Sequence, residues 1–468
     1  MKCDSPTNLE LLIVGGGIGG MTAAIECHRK GHTVRVLEKR ADFNTFGDLI
    51  GITRSAQRTM KKWPGFLDRL MANAMPPRIT FFKFDGTEIA TLSDQDSSDE
   101  GIISMPLWRS MLHGELHKYA AELGIPIAFN ANAVEYSETK DRGFVVADGK
   151  KYSADLVIAA DGIASKSAKL VDANPETPTS SGFSIYRTSF ALDHALKDPL
   201  VSEHWGGSVE GVQIFLADDL HIVTAKNSKT NSISWMLTHR DISQTATEAW
   251  SATAPTDGAL SLVRPSAGWA PYLAALISTT PGNRCVDWKL VWRGPQSKWS
   301  SPHSRVLQLG DACHPLIPTS GSGAVMAMED AYSIAACLRI VADRDRGEGV
   351  TRSGKGEIPL AVKVHEKLRF ERVSFAQRMG IETREFYHHS SWEDVMRNPE
   401  ALGVVGPWIV RHDAEKYAFE NFEQCAEHVK NGAPFENTNT PPGKKYEPWT
   451  VKGLQEEVDQ NSRRAARI

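Results

Sequence analysis

Residues 11–20 read LLIVGGGIGG, and no other stretch of the chain restricts its fold as much. Leu11, Leu12, Ile13 and Val14 have the length and composition of a strand buried on both faces. They run directly into Gly15, Gly17 and Gly20, the G-x-G-x-x-G spacing, and then into the helix-forming sequence MTAAIECHRK. Gly15 allows the tight turn, Gly17 lets backbone N–H groups approach a pyrophosphate, and Gly20 lets the helix pack closely on the strand. A second strand, residues 34–37, ends at Glu38, where a carboxylate can accept hydrogen bonds from a ribose; Lys39 follows it as a further cofactor contact. Taken by themselves the glycines fit an ordinary turn in a core βαβ unit. Strand, glycines, helix, second strand and acid in that order point to a dinucleotide site, with the pyrophosphate at a helix N-terminus.

The 468 residues suffice for two or three ordinary domains and a large core. A net charge of −4 gives no electrostatic reason to expect nucleic acid or an anionic membrane as partner. Six cysteines (Cys3, Cys27, Cys285, Cys313, Cys337 and Cys425) are scattered, with no C-x-x-C and no zinc spacing. That pattern suits a reducing compartment and argues against a disulfide scaffold. The opening MKCDSPTNLE has no apolar stretch of signal-peptide length. A run of about 18 apolar residues, the length of a membrane span, is also missing. A cytoplasmic protein is the expectation.

Beyond Glu38, residues 47–54 read as a loop and residues 55–63 as an amphipathic helix. Residues 79–92 alternate like strands about an Asp85-Gly86 turn, which predicts a hairpin that leaves the parallel sheet. Residues 105–116, MPLWRSMLHGEL, read as one helix with Pro106 near its start and Trp108, Met111, Leu112 and Leu116 on its apolar face. Arg109 stands beside that face, either as a solvated helix charge or as a ligand contact. Residues 125–128 and 144–147 look like short strands. Residues 156–160 form another buried strand ending in Asp161-Gly162. A carboxylate at the carboxyl end of a parallel strand lies where open α/β sheets bind ligands, although Asp-Gly alone is only a turn signal.

From 182 to 299 the character changes to short alternating segments (182–190, 211–215, 221–224, 232–237) between polar turns. This predicts a mostly antiparallel sheet inserted between cofactor-binding segments, carrying Tyr186, Arg187 and several tryptophans. Residues 306–309 return to the first pattern, followed by Gly310-Asp311, His314-Pro315, Pro318 and Gly321-Ser322-Gly323, with a long helix over 324–341. A second Gly-rich helix start again offers N–H groups and a positive dipole end. With phosphate held at the first turn, this one suits something else, such as the polar edge of a flavin ring. His314 has no partner at metal spacing and reads as a loop histidine fixed beside Pro315; no metal is expected. Residues 361–386 read as a helix with Glu366, Arg369 and Arg372 on one face. The tail from about 432 reads as irregular or partly disordered.

Three of these segments together resemble the single-component FAD-dependent aromatic hydroxylases of the para-hydroxybenzoate and salicylate hydroxylase type. The branch used in fungal secondary metabolism is the most similar. The first segment is Gly15, Gly17, Gly20 and Glu38; the second is Asp161-Gly162; the third, LGDACHPLIPTSGSGAVMAMEDA at residues 309–331, keeps the family's order and spacing and is the most specific. The resemblance covers roughly residues 9–390. It implies that the first segment holds the ADP half of FAD and that Asp161 and Gly162 lie near the pyrophosphate. It implies further that Asp311 meets the ribitol or ribose, that Pro318, Gly321, Gly323 and Ala324 face the isoalloxazine, and that Arg109 lies at the flavin. Residues 47–51, GDLIG, depart from the family's Ala-Gly-Ile type of loop. Tyr186-Arg187 falls where some members place an arginine that moves the flavin or holds a phenolate. The pair is the candidate for catalysis, with a solvent-facing strand arginine as the alternative.

The fold expected is α/β: a discontinuous Rossmann-type FAD-binding domain (1–78, 105–181, 300–345), a β excursion (79–104), and an inserted substrate sheet domain (182–299). A C-terminal helical region (346–434) and a polar tail (435–468) complete it. With one G-x-G-x-x-G fold, the resemblance implies that NAD(P)H visits transiently. Reduced FAD would then add O2 at C4a and deliver one oxygen atom to an electron-rich phenolic or indolic small molecule. Monomer or homodimer are both open. A flavin oxidase or dehydrogenase, and a flavin-binding protein without turnover, are the alternatives. A halogenase W-x-W-x-I-P motif and a Baeyer–Villiger second dinucleotide fold are both missing from the sequence.

Overall fold

The structure is a computed structural model that describes all residues except 2, 44–47, 94–103, 208–209, 242–251, 348–354, 390, 404, 455 and 458–468. Its first layer is a parallel sheet of five strands in the order Val306–Gln308, Leu156–Ala159, Glu10–Val14, Thr33–Leu37, Ile127–Ala128. Leu11 to Val14 lie between two parallel neighbours, pairing Leu156 to Ala159 on one side and Val34 to Leu37 on the other. A strand so enclosed has no polar face, which is why its sequence is an unbroken apolar run. Helix Ile18–Arg29 leaves this strand and packs on helix Gly323–Gly347. Gly19 permits the contact: a Cβ there would lie 3.0 Å from the Ala327 Cβ and 3.0 Å from Leu309 Cδ2.

The second layer is an eight-stranded, mostly antiparallel sheet built from two parts of the chain. Strands Thr179–Ala191, Gly211–Ala217, Leu220–Asn227, Ser232–Arg240, Thr253–Pro255 and Arg284–Trp292 form most of it. The hairpin Arg78–Lys83/Glu88–Ser93 adds to its edge, joined in parallel to Gly211–Ala217. Gly86, at φ +91°, makes the tight turn that the Asp85-Gly86 pair predicts. The far end of the 79–104 excursion lies outside the described residues, as do Gly47 and the last part of the 435–468 tail.

Two sequence readings, of residues 105–116 and of the tail, need correction, and one charged face finds its partners. Residues 105–116 are not one helix: Met105–Trp108 is a strand paired with Leu49–Ile52, and the helix is Arg109–Glu122. Pro106 sits in that two-stranded ribbon without a ladder N–H to lose, a placement open to proline at a sheet edge. The Glu366/Arg369/Arg372 face that the sequence marks on helix Ile358–His389 is buried. Arg369 and Arg372 are 1% and 0% exposed and bind Glu329 and Asp330 of helix Gly323–Gly347. The tail from 432 is irregular but packed as far as 450. Asn437 and Asn439 donate to the Lys367 and Leu368 carbonyls, and Trp449 Nε1 donates to Ser374.

Candidate active site

The two layers enclose one cavity of about 1310 Å3, and the carboxyl ends of the parallel strands open into it. The described sequence candidates Gly15, Gly17, Glu38, Lys39, Arg109, Asp161, Gly162, Arg187, Asp311, Pro318, Gly321, Gly323 and Ala324 all line this cavity. Two do not. Gly20 lies behind the turn, where a Cβ would come 2.0 Å from the Gly15 carbonyl oxygen, so its task is helix–strand packing. Tyr186 faces the opposite side of the sheet from Arg187, because successive strand residues alternate. Its ring stacks on His239 at 4.4 Å and sits against Gly258. It is not part of the cavity wall.

At one end of the cavity the glycine turn is held rigidly. Gly15 has φ +105°, and a Cβ would meet the Ala160 carbonyl oxygen at 2.3 Å. The Gly16 N–H donates to Glu38 Oε2 at 2.6 Å, and Glu38 Oε1 accepts from the Arg40 N–H. The Gly16 carbonyl is met by His113 and His117 Nε2 at 2.7 and 2.8 Å. Burial and the His113 neighbour push His117 down to about 3, so it is neutral at ordinary pH. The sequence reading passed over this histidine pair; its i, i+4 spacing on helix Arg109–Glu122 was the available signal.

Asp161 follows strand Leu156–Ala159 and accepts from the Tyr136 hydroxyl at 2.7 Å. Burial raises its carboxyl above the ordinary range, with Ser165 and Tyr136 acting against it. Asp311 follows Val306–Gln308; burial raises it too, opposed by His314, Arg109 and Arg293. Its surface nevertheless opens on the cavity. His314 is the fixed loop histidine expected from sequence: Nε2 donates to Asp330 Oδ2 at 2.5 Å. Among the described residues no group of side chains could hold a metal ion.

At the other end stand the loop Pro318–Ser320, Gly321 at φ +58°, and the start of helix Gly323–Gly347. The same cavity is lined by the face of the eight-stranded sheet that carries Arg187. This side chain is 3% exposed; it pairs with Asp48 and lies over the Trp288 ring at 4.5 Å. It is therefore not a solvent-facing strand charge. Asp48 lies at the start of the loop that the sequence marked as departing from the family pattern, and its carbonyl accepts from the Arg109 N–H at 2.7 Å.

A flavin dinucleotide fits these residues. Gly17 caps helix Ile18–Arg29, and a Cβ there would meet nothing within 4 Å, so the space it faces belongs to a ligand. Asp161 Oδ1 is buried without a hydrogen-bond partner. Both long helices begin at the cavity, so each offers N–H groups and a positive dipole end to an anionic group. Fold and site together define a dinucleotide-binding flavoprotein of the two-layer type.

Comparison with known proteins carries this further. The family model described as FAD binding domain matches residues 8–352. FAD-dependent monooxygenase fsr3 of Gibberella fujikuroi is 34% identical over 469 residues, covering 97% of this chain and 87% of that protein. Notoamide E oxidase notB' of Aspergillus versicolor is 31% identical over 451 residues, covering 94% of this chain and 95% of its own. The crystal structure of CtdE in complex with FAD and substrate 4 superposes with a TM-score of 0.81 at 28% identity, covering 91% of this chain and 100% of that one. The chain belongs to the FAD-binding-domain family of FAD-dependent monooxygenases.

Proposed function

We propose that the protein uses NAD(P)H and O2 to transfer one oxygen atom to an electron-rich aromatic small molecule, phenolic or indolic. The overall balance is substrate, O2, NAD(P)H and a proton giving oxygenated substrate, water and NAD(P)+. The observation that carries this reading is a single cavity with a dinucleotide cradle at one end and an apolar sheet face bearing Arg187 at the other. When bound, FAD supplies the redox chemistry and the activation of O2.

The chain's own residues bind, orient and exclude water. The Gly15–Gly17 turn and the start of helix Ile18–Arg29 take the pyrophosphate, and Glu38 accepts from ribose hydroxyls. Asp161, Gly162, Asp311, Lys39 and Arg109, all lining the cavity, would hold the rest of the cofactor. N–H donors at the Pro318–Ala324 helix opening are preorganised to hold an anionic or polar edge of the cofactor and would do so without reorganisation cost. Arg187 holds the electron-rich oxygen or nitrogen of the substrate. The apolar walls, with Ile185, Ile214, Val223, Met236 and Leu290 among them, keep bulk water from the reacting groups.

The test is NADPH oxidation by the FAD-loaded protein with and without a panel of phenolic polyketides and indole alkaloids, with product masses. Substrate-dependent acceleration and a gain of one oxygen atom are expected. Substrate oxidation that needs no NAD(P)H and releases hydrogen peroxide would replace this reading with an oxidase.

A further inference from the structure

The cavity-facing side of the large sheet is mostly apolar, and the positions of its polar side chains Arg187, His221 and Thr238 follow from register. Val223, Met236 and Arg187 stand side by side on neighbouring strands, and His221, Thr238 and Ile185 form the next row on the same face. His221 and Arg187 are thus two strands and two residues apart, a Cα separation of about 12 Å. Arg187 is engaged with Asp48 near the flavin end. His221 stands at the remote end beside Thr238 and is the titratable side chain of that row, with no task assigned to it so far.

His221 Nδ1 and His388 Nε2 are 2.8 Å apart. His388 comes from the end of helix Ile358–His389, and its Nδ1 is buried without a hydrogen-bond partner. One of the two facing nitrogens must carry the shared proton. If His221 donated, neutral His388 would bear its proton on Nδ1, leaving a buried N–H donor unpaired. If His388 Nε2–H donates, Nδ1 is a bare acceptor, and an orphaned donor is the rarer and costlier state. The second arrangement places the His221 proton on Nε2, which makes no bond to a described residue and belongs to a side chain lining the cavity. Charge does not disturb this assignment at neutral pH. Burial and Arg384 push His221 down to about 4. Burial, His221, Arg384, His389 and Arg240 depress His388 further. Asp219 and Glu385 lie instead against His389, 3.6 and 3.4 Å from its Nε2.

We propose that His221 is a substrate-orienting residue whose Nε2–H donates to an uncharged carbonyl oxygen at the end of a fused-ring phenol remote from Arg187, with His388 as the positioning residue that fixes its tautomer. This rests on the oxygenase reading for the orientation of the substrate. It narrows the substrate class to fused-ring phenols with a ring carbonyl. A neutral donor takes a ketone or quinone oxygen without burying a further charge.

The FAD-loaded protein is titrated by calorimetry with 6-hydroxy-1-tetralone and with 5,6,7,8-tetrahydro-2-naphthol, the same phenol without the carbonyl. The ketone is expected to bind at least about tenfold more tightly, the worth of one hydrogen bond to a buried donor. His221→Leu should bring the ratio to near one, and His221→Gln, which keeps an N–H donor, should restore part of it. His388→Phe should lower the ratio as well. FAD affinity, measured on each variant, reports whether the fold is intact. A wild-type protein with no preference for the ketone, including one that binds neither probe, overturns the proposal, as does an unchanged ratio in His221→Leu. Because binding and not turnover is read, either result leaves the oxygenase reading to its own NADPH assay.

Discussion

Asp48 and Arg187 are separated by 139 residues in the chain and meet as a buried ion pair, Arg187 Nη1 standing 2.5 Å from Asp48 Oδ2. The pair ties Asp48, which precedes strand Leu49–Ile52, to an interior strand of the eight-stranded sheet, and both side chains line the cavity.

Breaking this tie has a defined cost. Removing one member of a buried pair leaves the other charge uncompensated, worth about 3–5 kcal/mol. Arg109 feels Arg187 and Asp48 in opposite senses, so Asp48→Asn also leaves two cations facing one another. Urea denaturation of the FAD-loaded protein should show a loss of about 3 kcal/mol, and a loss below about 1 kcal/mol would mean that the pair does not couple the layers.

The two glycines of the turn separate folding from cofactor binding. At Gly15 a side chain meets backbone at 2.3 Å with φ at +105°. Gly15→Ala should therefore lower the melting temperature of the apoprotein and abolish FAD binding together. Gly17 faces open space within the protein, so Gly17→Ala should leave the apoprotein melting temperature unchanged while weakening FAD at least about tenfold, read by flavin fluorescence.

Strand alternation distinguishes Tyr186 from Arg187. Tyr186→Phe keeps the ring stacked on His239 and touches nothing in the cavity, so kcat/KM should stay within about twofold of wild type. Arg187→Lys loses the planar fork and its stacking on Trp288 and should lower kcat/KM by more than about tenfold. A larger effect from Tyr186→Phe than from Arg187→Lys would reverse the assignment.

Acid stability should reside in the helix pair beneath the flavin end. Burial alone would raise the Glu329 carboxyl, but Arg372 and Arg369 bring it from the ordinary 4.5 down to about 2. A depressed carboxylate stabilises the fold above its unfolded value, and that stability is lost as pH falls from about 4.5 toward about 2. Asp330, held low by His314 and Arg369 against burial, acts in the same direction. Glu329→Gln should lower the melting temperature at neutral pH and flatten its fall across that acid window.

Much of the cofactor end was legible in the sequence because its requirements are local. A buried strand, a turn that only glycine can make, a helix start and an acid at the next strand end all lie within residues 11–38. Asp161-Gly162 and Gly310-Asp311 were found by the same logic, each directly after an apolar strand. The 105–116 segment was misread because apolar residues at helical spacing also fit a short strand followed by a helix. Leu49–Ile52, which pairs with Met105–Trp108, lies more than fifty residues upstream. His113 and His117 escaped notice since their partner is a single carbonyl in the first glycine turn.

What the sequence determined by itself is the architecture of the dinucleotide cradle, because glycine conformations, strand burial and helix N-termini are properties of contiguous residues. What only the tertiary structure decided is the use made of charge and imidazole. Arg369 and Arg372 share a charged helix face in the sequence, and only the tertiary structure brings Glu329 and Asp330 of helix Gly323–Gly347 to pair with them. Arg187 looks like a surface strand residue until Asp48 arrives from the other layer, and His221 like any strand histidine until His388 fixes one of its nitrogens. Coulombic and hydrogen-bond partners act over a few ångströms of space whatever their separation along the chain, so no sequence window contains them.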